Sequence, residues 1–414
     1  MAVVTLDSLN IRSIKEVELN NRRVLVRCDF NAPLDDDGIV TDDSRIVAAL
    51  PTLRYVLEQG GKVICCSHLG RPNGKRDPAF SLEPIGQRLG ALLPDIDVML
   101  PDDCVGDAAE HLIFRQRPSQ IILLENLRFH KGEKSNSEEF AKKLADRCDV
   151  YINDAFGALH REHASVSALP GMIPDRAAGL LVEKELRFIG ELAKGAKSPY
   201  LAIVGGAKIS GKIEVLEKLV DTVDGLIIGG AMANTFLVAR GHEMGRSLIE
   251  QDRIRLAQHL LKRFDSKGVK VLLPSDVICV DDLSADASTQ SVAVDNVGPE
   301  QMAVDIGPDS RAQFAAAIAG ESSLGLPKTI FWNGPMGVFE IEAFSQGTMA
   351  IARALARSTA RTIVGGGDSG AAVKKAGVSD LMTHVSTGGG ASLSYLSGEA
   401  LPGLIALRGG RRST

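Results

Sequence analysis

The sequence predicts an α/β protein built on parallel sheets and divided into two domains. Three observations carry this. Short apolar runs alternate with amphipathic runs along the whole chain, the pattern of βαβ units with helices on both sheet faces. The residues just after those runs are rich in glycine, arginine, histidine and aspartate, at the strand ends where open α/β sheets bind ligands. The chain has 414 residues, more than one ordinary core organises.

Composition narrows the class. Aromatic residues make up only 4% of the chain, so the cores are packed from Val, Ile, Leu and Ala. A net charge of −5 opposes a general nucleic-acid binder. The six cysteines include the adjacent pair Cys65-Cys66 inside an apolar run. They suggest no disulfide framework and lack paired zinc spacing, so a reducing cytoplasm is expected. Met1 to Glu16 has no basic flank followed by an apolar run, and no apolar run is long enough to span a bilayer.

In the first half, Val24–Phe30, Lys62–Ser67, Gln120–Glu125 and Asp149–Asn153 read as strands. Ser44–Leu57, which Pro51 is expected to interrupt, Leu82–Leu93 and Glu138–Cys148 read as helices. The strands end in Arg27-Cys-Asp29-Phe30-Asn31, Ser67-His68-Leu69-Gly70-Arg71, Glu125-Asn-Leu-Arg128-Phe-His130 and Asn153-Asp154, the last leading to His160-Arg161-Glu162-His163. Arg45 opens the first helix. An acidic protein thus brings Arg45, His68, Arg71, Arg128 and Arg161 to one sheet edge. A single loop arginine is usually just solvated, but several crowded like charges call for an anion. Guanidinium groups grip phosphate or carboxylate with paired hydrogen bonds. The ligand should be small and multiply anionic, with Asp29 and Asn31 able to read a hydroxyl. No serine or cysteine partners His160 or His163 as a nucleophile.

Gly179–Lys194 reads as one long amphipathic helix at the domain junction. Alternation then restarts with a strand at Tyr200–Val204. Gly206 to Lys212 spells G-x-x-x-x-G-K, but Ile213 follows where a P-loop needs a hydroxyl for magnesium. What survives is a glycine turn before a helix reaching about Val223, with Lys208 and Lys212 on one face if the helix has begun. Two solvated lysines are the alternative. Leu226–Ile228, Lys270–Leu273, Asp276–Val280 and Thr329–Phe331 add strands, and Gly307-Pro308 opens a helix. Trp332 to Glu340 reads either as a flat apolar slot for an adenine, with Glu340 on ribose hydroxyls, or as a packed loop.

The densest signal is Thr362 to Gly370. A buried strand end, Thr362-Ile-Val364, meets Gly365-Gly366-Gly367, then Asp368-Ser369-Gly370 and a helix. Glycines let the backbone approach a ligand, and the helix start offers free N–H groups to phosphate. Asp368 or Ser369 either caps that helix or, for Asp368, holds magnesium beside the phosphates. The stretch also spells G-x-G-x-x-G, but a dinucleotide site wants an acid about 20 positions on, after the next strand. Met382–Val385 runs instead into Ser386-Thr387 and Gly388-Gly389-Gly390, another phosphate-type helix start. The tail from Leu401 turns basic and should fray.

One half carries arginines for a small anion, the other glycine-rich helix starts, two lysines and an aspartate for a nucleotide with magnesium. That suits phosphoryl transfer by positioning and charge neutralisation. Arg27–Pro33, Ser67–Pro72, Leu124–His130, Asn153–His163, Gly205–Lys212, Phe331–Glu340, Gly365–Ser369 and His384–Ser392 together resemble the phosphoglycerate kinase family, collinearly and nearly end to end. The resemblance implies two Rossmann-like domains joined by a hinge helix. Residues 1–182 would bind 3-phosphoglycerate, 183–395 the nucleotide, and 396–414 would return to the first domain. It implies reversible transfer between 1,3-bisphosphoglycerate with ADP and 3-phosphoglycerate with ATP, in a cytoplasmic monomer that binds neither nucleic acid nor membrane.

By residue, the resemblance puts Asp29, Phe30, Asn31, Arg45, His68, Leu69, Gly70, Arg71, Arg128 and Arg161 on the glycerate substrate. Arg45 and Lys208 would attend the transferred group, with amides at Gly388 and Gly389 facing the moving charge. Lys212, Gly307, Glu340, Gly366, Gly367, Asp368 and Ser369 would bind nucleotide, with Asp368 on Mg2+. Closure about the hinge would bring the two sites together and exclude water. The chain departs from the family pattern at Ala32, at Glu162, which weakens local positive charge, and at Gly211, where the family commonly has aspartate. Two rival readings are an NAD-dependent oxidoreductase resting on Gly365–Gly370, opposed by the missing ribose acid, and a non-catalytic nucleotide-dependent scaffold, opposed by the full set of charged residues.

Overall fold

The structure, a computed structural model, describes residues 5–410. The chain divides into two compact units. A front unit runs to Gly190 and takes in the chain again from Ala400, and a back unit comprises Glu191–Glu399.

The front unit is built on β1 (Arg23–Arg27), β2 (Lys62–Cys66), β3 (Asp97–Met99), β4 (Gln120–Leu123), β5 (Val150–Asn153) and β6 (Arg176–Ala178). They form one parallel sheet in the order β3-β4-β2-β1-β5-β6. Val24 stands opposite both Val63 and Val150. Apart from Arg23 at the start of β1, the central strands β1 and β5 are buried along their length, which is why they read as near-continuous apolar runs rather than as alternation. Connections leave in opposite directions around β1 and β5, so the ligand crevice belongs at the carboxyl ends of those two strands.

The back unit begins with β7 (Tyr200–Val204), β8 (Gly225–Ile228) and β9 (Lys270–Leu272). A separate antiparallel sheet follows, β10 (Asp276–Val280) flanked by β11 (Gln290–Ala293) and β12 (Met302–Ile306). Then come β13 (Thr329–Asn333), β14 (Arg361–Gly365) and β15 (His384–Val385). The large sheet is parallel, in the order β15-β14-β13-β7-β8-β9. This is the doubly wound mononucleotide arrangement, reversing between β7 and β13. Gly205 and Gly334 follow those two strands directly.

The helix Leu180–Gly195 carries the chain from one unit into the other. Its free amino-terminal N–H groups are met from outside the helix. Leu181 and Val182 donate to Asp154 Oδ1 at 2.9 and 3.4 Å, and Leu180 donates to Thr52 Oγ1 at 3.0 Å. Asp154 presses so closely on the helix start that a Cβ on Gly179 would stand 2.2 Å from its carboxylate oxygen. Burial pushes the Asp154 carboxyl up to about 7, although Thr52 and the two N–H donors pull it down.

Several local expectations are corrected. Pro51 does not interrupt its helix, which runs unbroken from Ser44 to Glu58. The N–H that proline lacks would have bonded Val47, and Val47 is exposed, so water can satisfy its carbonyl. The helix after Lys212 spans only Ile213–Leu219, so Lys208 and Lys212 precede it and share no helical face. Strand β13 extends to Asn333 and takes in Trp332. The antiparallel sheet was legible only at β10, because β11 is short and polar and β12 carries Asp305 inside its apolar run.

The buried acid at the head of Leu180–Gly195 gives a pH signature. A carboxyl whose folded-state pKa is raised to about 7 favours the folded state below its unfolded value near 4 and loses that contribution as pH rises through 7. Asp154→Asn, which keeps an acceptor for Leu181, should therefore gain stability relative to wild type across that window. The gain should approach about 1.4 kcal/mol per pH unit, read by chemical denaturation at stepped pH. A pH-independent difference would contradict the burial argument.

Candidate active site

In the front unit the predicted residues gather around Asp29, just beyond β1. Arg45 donates to Asp29 Oδ2 at 2.9 Å. His68, just beyond β2, places Nδ1 4.0 Å from Asp29 Oδ1. Two guanidinium groups hold the His68 ring from opposite sides, Arg27 at 3.1 Å from Nδ1 and Arg161 at 3.2 Å from Nε2. A neutral imidazole has one acceptor nitrogen, so one of these contacts sets donor against donor. Arg128 donates to the carbonyl of Gly70 at 2.7 Å, and Gly70 N–H donates to Asn31 Oδ1 at 2.8 Å.

The electrostatics confirm one shared positive field. Burial and then Arg27, Arg128, Arg161 and Arg45 push His68 well below its ordinary value, so the ring is neutral. Burial, Arg161 and Arg27 bring even Arg128 down to about 10. Burial also lowers Arg161, where Asp29 opposes further depression by Arg27, Arg45 and Arg71. His163 falls to about 4 through burial and the same arginines. Within this field Asp29 Oδ1 and Arg128 Nε are buried without a hydrogen-bond partner.

Arg27, absent from the predicted set, is the deepest member. It is fully buried, and it donates to Ser165 Oγ at 2.8 Å and to the Cys28 carbonyl. Ser165 in turn donates to buried Glu133 at 2.7 Å. The available signal was a charged residue inside the apolar run Val24-Leu-Val-Arg-Cys. Phe30 and Leu69, by contrast, lie in the hydrophobic core and offer the site only backbone. Arg71 and Glu162 are exposed.

In the back unit the glycine-rich turns meet at the ends of β7, β13 and β14. Lys212 is turned inward, with Nζ 2.6 Å from Gly205 O, 3.1 Å from Asn333 O and 2.7 Å from Asn333 Oδ1. Burial lowers its pKa to about 8, with the charge of Asp368 acting the other way. Asn333 Nδ2 donates to Gly365 O at 2.8 Å, and Gly334 N–H donates to Ser369 Oγ at 2.6 Å. Neither Asp368 nor Ser369 caps the helix Gly367–Lys375. Its N-cap is Gly366 at φ 99°, a left-handed conformation that favours glycine. A Cβ on Gly389 would stand 2.7 Å from the Gly366 Cα, so the two helix starts touch through backbone. Gly388 precedes the helix Gly389–Leu396.

A cavity of about 340 Å³ opens beside these turns, lined by apolar side chains such as Leu248, Met302, Met336 and Val338 and reaching Gly206, Glu340 and Asp368. Trp332 does not line it. The indole is fully buried and donates to Gly334 O at 2.8 Å, so the flat apolar wall comes from Pro335 to Val338 instead. Gly307 is also outside the lining, since its Cβ position is filled by the Asp276 carboxylate at 2.1 Å. Lys208 is exposed. A Cβ on Gly211 would meet nothing within 4 Å, so the missing family aspartate leaves no gap.

Comparison with known proteins bears on both units at once. The phosphoglycerate kinase family model matches residues 14–399. The phosphoglycerate kinase of Moorella thermoacetica is 51% identical over 395 residues, 95% of this chain and 98% of its own. That of Prosthecochloris aestuarii is 48% identical over 399 residues, 96% of this chain and 99% of its own. The structure of phosphoglycerate kinase from Coxiella burnetii aligns with a TM-score of 0.81 at 41% identity, covering 96% of this chain and 98% of that one. With identity near one half across almost the whole of both chains, this chain belongs to the phosphoglycerate kinase family.

Proposed function

We propose that this chain carries out reversible, magnesium-dependent phosphoryl transfer from 1,3-bisphosphoglycerate to ADP, giving 3-phosphoglycerate and ATP, the glycolytic reaction of its family. The observation that carries the reading is the crowding of guanidinium groups about neutral His68, with a buried donor and acceptor still unpaired. A compact polyanion bearing a hydroxyl relieves both conditions. Its phosphate and carboxylate take the arginines, and its hydroxyl reaches Asp29 and Asn31.

In this reading Arg128, Arg161, Arg71 and His68 grip the glycerate ligand. Arg45 faces the transferred group, and Asp29 holds its guanidinium in place through the 2.9 Å bond. Lys208 accompanies the moving group on a flexible stem, while Lys212 exchanges its carbonyl acceptors for nucleotide phosphate oxygens. The N–H groups at Gly366, Gly367, Gly388 and Gly389 and the Ser369 hydroxyl surround the same phosphates. Glu340, at the cavity wall, takes ribose hydroxyls. Gly307 shapes that wall from behind.

Asp368 suits a magnesium ion. It is an exposed carboxylate lining the cavity whose charge reaches Lys212, and Mg2+ takes one or two carboxylates with phosphates and water. When bound, the ion neutralises charge on the phosphates. The two half-sites belong to different units, and in-line transfer demands that both act on one phosphoryl group at once. No side chain forms a covalent bond to the group. We read the protein as a cytoplasmic monomer whose partners are these small molecules, binding neither nucleic acid nor membrane. Among the described residues no helix is long and apolar enough to cross a membrane.

Arg45→Ala should lower turnover by about 100-fold or more in a chain that still folds, since Arg45 is part-exposed and its loss relieves the crowding of like charge around His68. A coupled assay with 3-phosphoglycerate and MgATP measures it, and near-normal turnover would remove Arg45 from the chemistry. ADP affinity should fall as pH rises through about 8, where Lys212 gives up its proton. Calorimetry at stepped pH should find that fall missing in Lys212→Met. Asp368→Asn should raise the magnesium concentration needed for half-maximal rate by about tenfold while leaving metal-free ADP binding intact. An unchanged magnesium requirement would take Asp368 off the metal.

A further inference from the structure

Three residues that the reaction does not use converge in the front unit, away from any cysteine-pair motif. Asp103 and Cys104 lie between β3 and the helix Asp107–Phe114, and His130 ends the loop after β4. One carboxylate oxygen, one thiol sulfur and one imidazole nitrogen from them all lie within 4.8 Å of one another. His130 Nε2 is 2.7 Å from Asp103 Oδ1, and the Cys104 N–H donates to the same oxygen at 2.6 Å. The His130 ring stacks on Phe140, centroids 5.1 Å apart at 21°. Cys104 is fully buried, while the other two are part-exposed.

We propose that Asp103, Cys104 and His130 form a binding site for a divalent cation of the zinc class. The donor set selects the ion. Thiolate and imidazole suit zinc and its neighbours, whereas magnesium takes oxygen ligands and keeps its waters. Zinc bonds of about 2.0–2.3 Å set tetrahedral ligands roughly 3.3–3.8 Å apart, so the three atoms need to move by about an ångström or less each. The 2.7 Å His130–Asp103 pair would open slightly to admit the ion. The supporting contacts are already built. Phe140 fixes the ring plane and the Cys104 backbone orients the carboxylate, the kind of outer layer that holds metal ligands in register. Exposure on one side leaves a fourth position for water. On binding, the Cys104 thiol releases its proton to solvent and its sulfur forms the bond to the metal. The ion would tie the loop before Asp107–Phe114 to the segment that carries Arg128, two residues ahead of His130.

The test uses the full chain, freed of metal and titrated with Co2+. The expected result is one equivalent bound, with a thiolate-to-cobalt band in the near ultraviolet and tetrahedral visible bands. Cys104→Ser should lose the thiolate band, and Cys279→Ser, in the other unit, should keep it. Zinc competition against a chromogenic chelator should show affinity falling at least about tenfold in Asp103→Asn and in His130→Gln. Circular dichroism checks that each variant folds, and if Cys104→Ser does not, His130→Gln carries the decision. A wild-type chain with no cobalt–thiolate band, or a band that survives Cys104→Ser, overturns the proposal and leaves an Asp–His pair beside a buried thiol.

Discussion

The front unit depends on holding like charges together. Burial with the charges of Arg27, Arg45, Arg128 and Arg161 depresses His68, and burial with neighbouring arginines also lowers Arg128 and Arg161. Left to themselves, such groups would swing outward into water. They are kept by anchors within the unit itself. Arg27 is fixed through Ser165 to buried Glu133. Arg128 is fixed to the Gly70 carbonyl. Arg45 is fixed to Asp29. Arg27 is engaged at all three nitrogens, while Arg45 and Arg128 each use only part of their donor set in these bonds. The strained arrangement is assembled before any ligand arrives, so an anion meets an organised cradle rather than having to gather it.

The back unit solves the complementary problem with backbone. Its turns come within van der Waals limits at Gly366 and Gly389, which concentrates N–H groups where side chains would have kept them apart. The part-buried Lys212 is parked on three oxygens. Carbonyl and amide oxygens are weaker partners for an ammonium than an ionised oxyanion is, so these bonds hold the lysine in place without saturating its charge.

Much of this was legible in the sequence, for a physical reason. Parallel strands buried on both faces leave long apolar runs, so both sheets and their strand ends could be read directly, and with them Arg45, His68, Arg128 and Arg161. Side-chain direction was not legible. Phe30 and Leu69 sit among site residues yet face the core, and Trp332 belongs to a strand rather than to a nucleotide slot. Arg27 escaped notice because its role depends on Ser165 and Glu133, more than a hundred positions away in the chain. The antiparallel sheet escaped because β11 is short and polar and β12 carries a buried acid, Asp305, inside its apolar run, so neither gives a clear period.

Trp332 is the only tryptophan in the chain. It is buried, and it is hydrogen-bonded to the turn that also contacts Ser369. Excited near 295 nm, where tyrosine is silent, the protein therefore emits from one fluorophore confined to the back unit. Its emission reports the melting or tightening of that unit alone, so the unfolding of the two halves can be followed separately without attaching a dye.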